Sequence, residues 1–198
     1  MKKISAIILI VLGISTFTLT QAWAVSLSLN ALTSPFEVGK TAGIELLVSG
    51  LENDVLGAFD LGVAYDTSVF DFDYYVLGDG LGNIAAGEAE DWSTGNLGNG
   101  TVHLAELSWL WDFSFQADSF TLATLYFTGT KEGTGTFGFS DAMLSDAFGD
   151  SLVTSLHTTE IPVNQPVPEP ATMLLLGFGL TGIGCMKRKF RDRQLKTA

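Results

Sequence analysis

Residues 58–74 read AFDLGVAYDTSVFDFDY, and their spacing decides the fold. Phe59, Leu61, Val63 and Tyr65 take every second position, with Ala58, Asp60, Gly62 and Ala64 between them. After the turn-forming Asp66-Thr67-Ser68, Phe70, Phe72 and Tyr74 alternate with Asp71 and Asp73. A period of two sends alternate side chains to opposite sides of a pleated strand. Each run therefore predicts a strand with one face in a core and one in water.

The same rhythm extends in both directions. Upstream it is carried by Val25, Leu27 and Leu29, then by Ile44, Leu46 and Val48. Downstream come Val102 and Leu104, Leu107 and Trp109, Ala123 with Leu125 and Phe127, Phe137 with Phe139, and Leu152 with Thr154 and Leu156. Ser34-Pro35, Gly50, Gly129, Gly133 and Gly149-Asp150 punctuate the runs, and no amphipathic helix precedes the C-terminal tail. Short, regularly interrupted strands of this kind predict an all-β, antiparallel β-sandwich of jelly-roll type. One segment breaks the rhythm. Leu77 to Gly100 holds seven glycines around Glu88, Glu90, Asp91 and Trp92, which reads as a functional loop or as a flexible insertion between strands.

Both ends look like processing segments. Lys2 and Lys3, the apolar run Ile4 to Leu12 and the closing Ala22-Trp23-Ala24 form a signal peptide over residues 1–24, with cleavage expected after Ala24. The sandwich then occupies residues 25–160. Residues 161–170, IPVNQPVPEP, hold four of the five prolines and read as an extended linker. Residues 171–198 begin with a 16-residue apolar run, Ala171 to Met186, followed at once by Lys187, Arg188, Lys189, Arg191 and Arg193. As a helix the run would reach roughly 24 Å, and the basic cluster would hold its far end in the cytoplasm.

Charge and residue types exclude several functions. Between Val25 and Pro170 the only basic residues are Lys40 and Lys131, against 21 acidic ones, a net of 2 − 21 = −19. Nucleic acid, which is bound by cationic side chains, is excluded as a partner. The single cysteine, Cys185, lies in the apolar tail, so the body has no disulfide, thiol nucleophile or thiolate metal site. His103 and His157 are the only histidines, each inside a strand pattern, and both read as structural rather than as members of a nucleophilic triad. No zinc spacing and no phosphate-cradling loop is present. A non-enzymatic role follows. Two binding chemistries remain open. Asp141, Asp146 and Asp150 flank a hairpin and are the candidates for a calcium site. Trp92, Trp109 and Trp111, with Tyr74 and Tyr75, either line a sugar-binding face or fill the core.

The string VPEPATMLLLGFGLTGIGCMKRKF resembles the PEP-CTERM sorting signal of Gram-negative bacteria, also catalogued as an "ice-binding protein C-terminal" domain. Pro168-Glu169-Pro170, the Gly-studded apolar run and the basic end match it in order. This resemblance implies transfer through the inner membrane, a C-terminal transmembrane helix, and cutting near Pro168-Glu169-Pro170 by an exosortase, giving a cell-surface or extracellular protein. Residues 36–72 resemble the opening half of a cohesin-type module through Ala58-Phe59, Tyr65-Asp66, Val69 and Phe70 to Phe72, with Thr67 where proline is usual. Together the two resemblances imply a non-catalytic adhesion or binding sandwich. Its expected partners are an exosortase, and exopolysaccharide or another surface protein. A calcium-dependent protein- or carbohydrate-binding module and an exopolysaccharide-modifying enzyme are the alternatives.

Overall fold

The computed structural model describes residues 24–52, 54–166 and the single residue Phe178. The signal-peptide residues before Ala24 lie outside them, as do Pro168, Glu169, Pro170, the apolar run apart from Phe178, and the basic cluster. Among the described residues no helix is long and apolar enough to cross a membrane.

The alternating runs form strands β1 (Val25–Ala31), β2 (Phe36–Glu37), β3 (Thr41–Ser49), β4 (Ala58–Tyr65), β5 (Phe70–Leu77) and β6 (Ala89–Asp91). They continue with β7 (Gly95–Asn96), β8 (Thr101–Ser108), β9 (Ser119–Gly129), β10 (Gly133–Ser145), β11 (Thr154–His157) and β12 (Thr159–Asn164). One sheet has the order β11-β1-β3-β9-β5, and the other β2-β12-β10-β4-β8-β6 with β7 also on β8. The predicted sandwich is present, with one departure. Its outer pairs β1–β11 and β2–β12 are parallel, because the chain leaves β10, runs beside β1, and changes sheet at Thr158 without reversing direction.

The inward sets meet as one core. Leu27, Ile44, Leu46, Leu61, Val63, Leu104, Leu125, Phe127 and Phe137 are buried. Phe137 packs on Phe70 at 4.7 Å and on Phe127 at 4.9 Å between ring centroids, in the tilted and edge-on geometries that aromatic quadrupoles favour.

Bulges account for most local differences from simple alternation. A register shift between Phe72 and Tyr74 turns β5 over, so Tyr74 faces out and stacks on Tyr126, while Tyr75 turns inward. The expectation that Tyr74 shares a side with Phe70 is thereby corrected. Similarly, β8 runs unbroken to Ser108, so the expected Leu107–Trp109 strand does not exist, and Trp109 stands beyond the sheet.

The sandwich also extends past residue 160. Ile161 and Val163 are buried in β12, so the first part of the expected linker is a strand. Pro162 is accommodated because β2 pairs only Val163 and Asn164, leaving the proline with a neighbour on one side.

Candidate binding surface at the loop end

Strand register sorts the connections into two ends. Ser49 pairs with Ser119, Leu77 with Ala123, Ala58 with both Leu107 and Ser145, and Ala89 with Ser108. Segments 50–57, 78–88, 109–118 and 146–153 therefore gather at one end of the sandwich. The chain leaves at the opposite end, where Val163 pairs with Gly133 and Asn164 with Glu37.

The glycine-rich segment at the loop end is built rather than loose. Leu81 and Ala89 are buried, and Asn83 accepts a hydrogen bond from Ala86 N–H to cap a single 3₁₀ turn, Ile84–Ala86. A Cβ at Gly78 would strike the Thr121 carbonyl oxygen, and one at Gly80 would strike the Phe120 ring. These glycines are there for close approach to β9.

Gln116 binds three loops together. Its Oε1 accepts from Leu56 N–H at 2.7 Å, and its Nε2 donates to Leu56 O at 3.0 Å and to Gly80 O at 3.1 Å. The Ser108 hydroxyl donates to Leu81 O at 2.6 Å, and Trp109 N–H donates to Glu88 O at 2.7 Å, fixing the base of segment 109–118. On that base Trp111 is 102 % exposed, Phe115 93 % and Trp109 55 %. Phe115, but neither tryptophan, is in the wall of a groove of about 470 Å³ that is also lined by Asp79, Glu88, Asp112, Phe113 and Phe120 among others. Asp112 accepts from Ser114 N–H at 2.8 Å, and this bond with that of the Ser114 hydroxyl holds its carboxyl below the usual range. Trp92 lies apart from this groove, in a depression of about 190 Å³ with Asp60, Ala105 and Leu107.

Of the two open readings of the aromatics, Trp92, Trp109 and Trp111 are on the surface and outside the core. The tyrosines do not join them: Tyr74 stacks on Tyr126, and the Tyr75 hydroxyl donates to Asp91 at 2.9 Å. Nothing in the alternation revealed Phe113, Phe115 or Gln116 as parts of a surface.

Of the calcium candidates, Asp146 and Asp150 meet in one hairpin and Asp141 is held elsewhere. Asp146 Oδ1 accepts from Phe148 N–H and Asp150 N–H, both at 2.8 Å, closing the hairpin, whereas Asp141 Oδ2 accepts from the Ser140 hydroxyl beside Gly62. Among the described residues no group of three His, Cys, Asp or Glu side chains is arranged to hold a metal.

His103 does have a hydroxyl and a carboxylate as neighbours. Its Nε2 lies 3.0 Å from Asp60 Oδ1, and its Nδ1 lies 2.8 Å from the Thr94 hydroxyl. Nδ1 also accepts from Thr94 N–H at 3.1 Å, so the lone pair a general base would use is shared with a backbone donor. The arrangement clasps segment 92–96 onto β8.

Glu106 is the residue the sequence reading missed. It sits at an inward position of β8 after Val102 and Leu104, is 2 % exposed, and neither carboxyl oxygen has a hydrogen-bond partner. Burial, with Asp91 and Asp79 adding negative charge nearby, pushes its pKa up to about 8. At neutral pH it is mostly a neutral acid.

The sequence beyond the sandwich supplies the decisive comparison. Residues 166–189 match the family model described as "PEP-CTERM protein-sorting motif". The chain carries a PEP-CTERM sorting motif. The motif includes Pro168, Glu169 and Pro170 and extends to Lys189, and it implies export with targeting to an exosortase. No curated protein matches the chain.

Solved structures match the body that precedes the PEP-CTERM motif. A cohesin module of a Clostridium perfringens family 33 glycoside hydrolase aligns at 14 % identity and TM-score 0.59, covering 72 % of this chain and 98 % of that one. A type II cohesin domain from the Acetivibrio cellulolyticus cellulosome aligns at 16 % and 0.60, covering 70 % and 95 %. The sixth cohesin of that organism's scaffoldin B, in complex with a mutant Cel5 dockerin, aligns at 14 % and 0.60, covering 71 % and 99 %. The body is a cohesin-like β-sandwich.

Proposed function

We propose that this is an exported, exosortase-processed surface or matrix protein whose cohesin-like sandwich is a non-catalytic module that holds on to exopolysaccharide. The observation that carries this reading is the exposed aromatic loop, with Trp109, Trp111 and Phe115 raised at the end opposite the exit of the chain. Exposed rings cost solubility and mark contact surfaces. Flat indole and phenyl faces also stack on the apolar faces of sugars. The sorting motif begins at residue 166, just after β12 ends at Asn164, and the aromatic loop is at the opposite end of the sandwich from that strand end.

Signal cleavage after Ala24 fits the same picture, because β1 opens at Val25 and is left whole. Absence of catalysis is supported by the chemistry on the surface. Among the described residues, the one histidine with triad-like neighbours is engaged by backbone, and the one carboxyl with a strongly raised pKa is buried.

The test is to incubate the exported protein with the polysaccharide of its own cells, measuring retention and polymer length together. Retention that is lost on Trp111→Ala, with chain length unchanged, supports the reading. Shortening of the polymer would make the protein an enzyme, and absence of retention would remove the polysaccharide partner.

A further inference from the structure

Charge at the loop end is all of one sign. Segments 50–57, 78–88, 109–118 and 146–153 contain Glu52, Asp54, Asp79, Glu88, Asp112, Asp118, Asp146 and Asp150, and no lysine, arginine or histidine. The two basic residues of the body are at the other end: Lys40 is in the turn between β2 and β3, where its backbone N–H donates to Glu37 O, and Lys131 sits in the β9–β10 connection. Of the eight carboxylates, Asp79, Glu88 and Asp112 line the groove whose walls include Phe113, Phe115 and Phe120. The groove thus joins aromatic ring faces to anionic acceptors.

Resting on the exopolysaccharide reading above, we propose that this groove binds an amino-sugar polymer in its deacetylated, cationic form. The Phe115 ring in the groove wall, and the exposed Trp111 ring on the same segment outside that wall, would take the apolar faces of the sugar units. Asp79, Glu88 and Asp112 would accept charge-assisted hydrogen bonds from the ammonium groups, which are stronger than neutral ones. An ammonium group over an indole face gains further from the ring quadrupole. A polymer of uronic acids meets the opposite field and is repelled by the net charge of −19 on the body.

Backbone chemistry favours a saccharide over an extended peptide. A peptide in a groove is held chiefly by main-chain hydrogen bonds along an open edge. Four carbonyls of these loops already have donors. Gly80 O accepts from Gln116 Nε2, Leu81 O from the Ser108 hydroxyl, Glu88 O from Trp109 N–H, and Phe113 O from Gln116 N–H. Carboxylates and ring faces line the groove beside them. Both suit a sugar bearing amines.

The experiment is calorimetric titration of the exported protein at mildly acidic pH and about 0.15 M salt. Four probes are compared: glucosamine oligomers, their N-acetylated counterparts, uronic-acid oligomers, and an oligolysine of equal charge. The inference expects binding of the glucosamine oligomer. Trp111→Ala with Phe115→Ala should weaken it about tenfold, and Asp112→Asn should weaken it and flatten its salt dependence. All three side chains are exposed, so the variants should melt with the wild type; thermal scans check this. Equal or tighter binding of the acetylated oligomer overturns the cationic inference and leaves the polysaccharide reading standing. Oligolysine binding that falls with the same ring substitutions reassigns the groove to a basic polypeptide. Failure of every saccharide to bind in a ring-dependent way removes both.

Discussion

Glu106 makes a prediction with a calculable size. Replacing it by glutamine keeps the shape of the neutral acid and deletes the proton equilibrium. In the fold the carboxyl is 2 % exposed, without a hydrogen-bond partner, and titrates at about 8; in the unfolded chain it returns to its ordinary 4.5. The folded state therefore binds the proton more tightly. Its stability is fully present below about pH 4.5 and declines as the pH rises through 8, since ionisation must then occur in the core or the proton must be held against solution. The separation of roughly 3.5 units, at 1.36 kcal/mol each, sets a ceiling of about 5 kcal/mol, of which about 3 kcal/mol is already lost at pH 7. For a domain of this size that corresponds to roughly 10 °C in melting temperature. Thermal unfolding followed by circular dichroism across about pH 4 to 9 should show wild type and Glu106→Gln together in acid, with the variant's relative stability growing from about pH 4.5 and levelling off above about 8. Parallel curves for the two proteins at every pH would refute the reasoning, because Glu106 would then titrate alike in folded and unfolded states.

Three further substitutions probe packing and turns. Phe127→Ala removes the ring shared by Tyr65, Phe70, Phe72 and Phe137, and chemical denaturation should show a loss of about 3–5 kcal/mol. Gly80→Ala drives a methyl group into the Phe120 ring; it should cost about 1–3 kcal/mol and disturb the groove, seen as altered Trp111 fluorescence. Asp146→Ala orphans the N–H groups of Phe148 and Asp150 and should lower stability by about 1–2 kcal/mol, with no rescue by added calcium.

The limits of the sequence reading follow from particular residues. Phe59, Leu61 and Val63 alternate without interruption, and their strand lies where the period of two puts it. Tyr74 could not be placed, because a bulge leaves no mark in composition yet reverses every side chain beyond it. Glu106 did leave a signal: continuing the inward positions from Val102 and Leu104 reaches it, but Leu107 and Trp109 suggested a new strand in the opposite phase. The parallel outer pairs depend on a change of sheet at Thr158, and period-two patterns carry no information about which sheet a strand joins. Ile161 and Val163 alternate as core residues, but the surrounding prolines masked them. At the loop end the acidic and aromatic residues were visible individually. What gathers them is register between strands distant in sequence, together with the three bonds made by Gln116.

The central claim is that the tail beginning near Pro168 is an address removed after delivery, leaving the sandwich as the working part. Intact-mass spectrometry of the protein recovered from the cell surface or medium tests it most directly. The account predicts a mature chain that starts at Val25 and ends near Pro168-Glu169-Pro170, without the apolar run or Lys187 to Arg193. A mass that still includes those residues, from cells expressing an active exosortase, would contradict it.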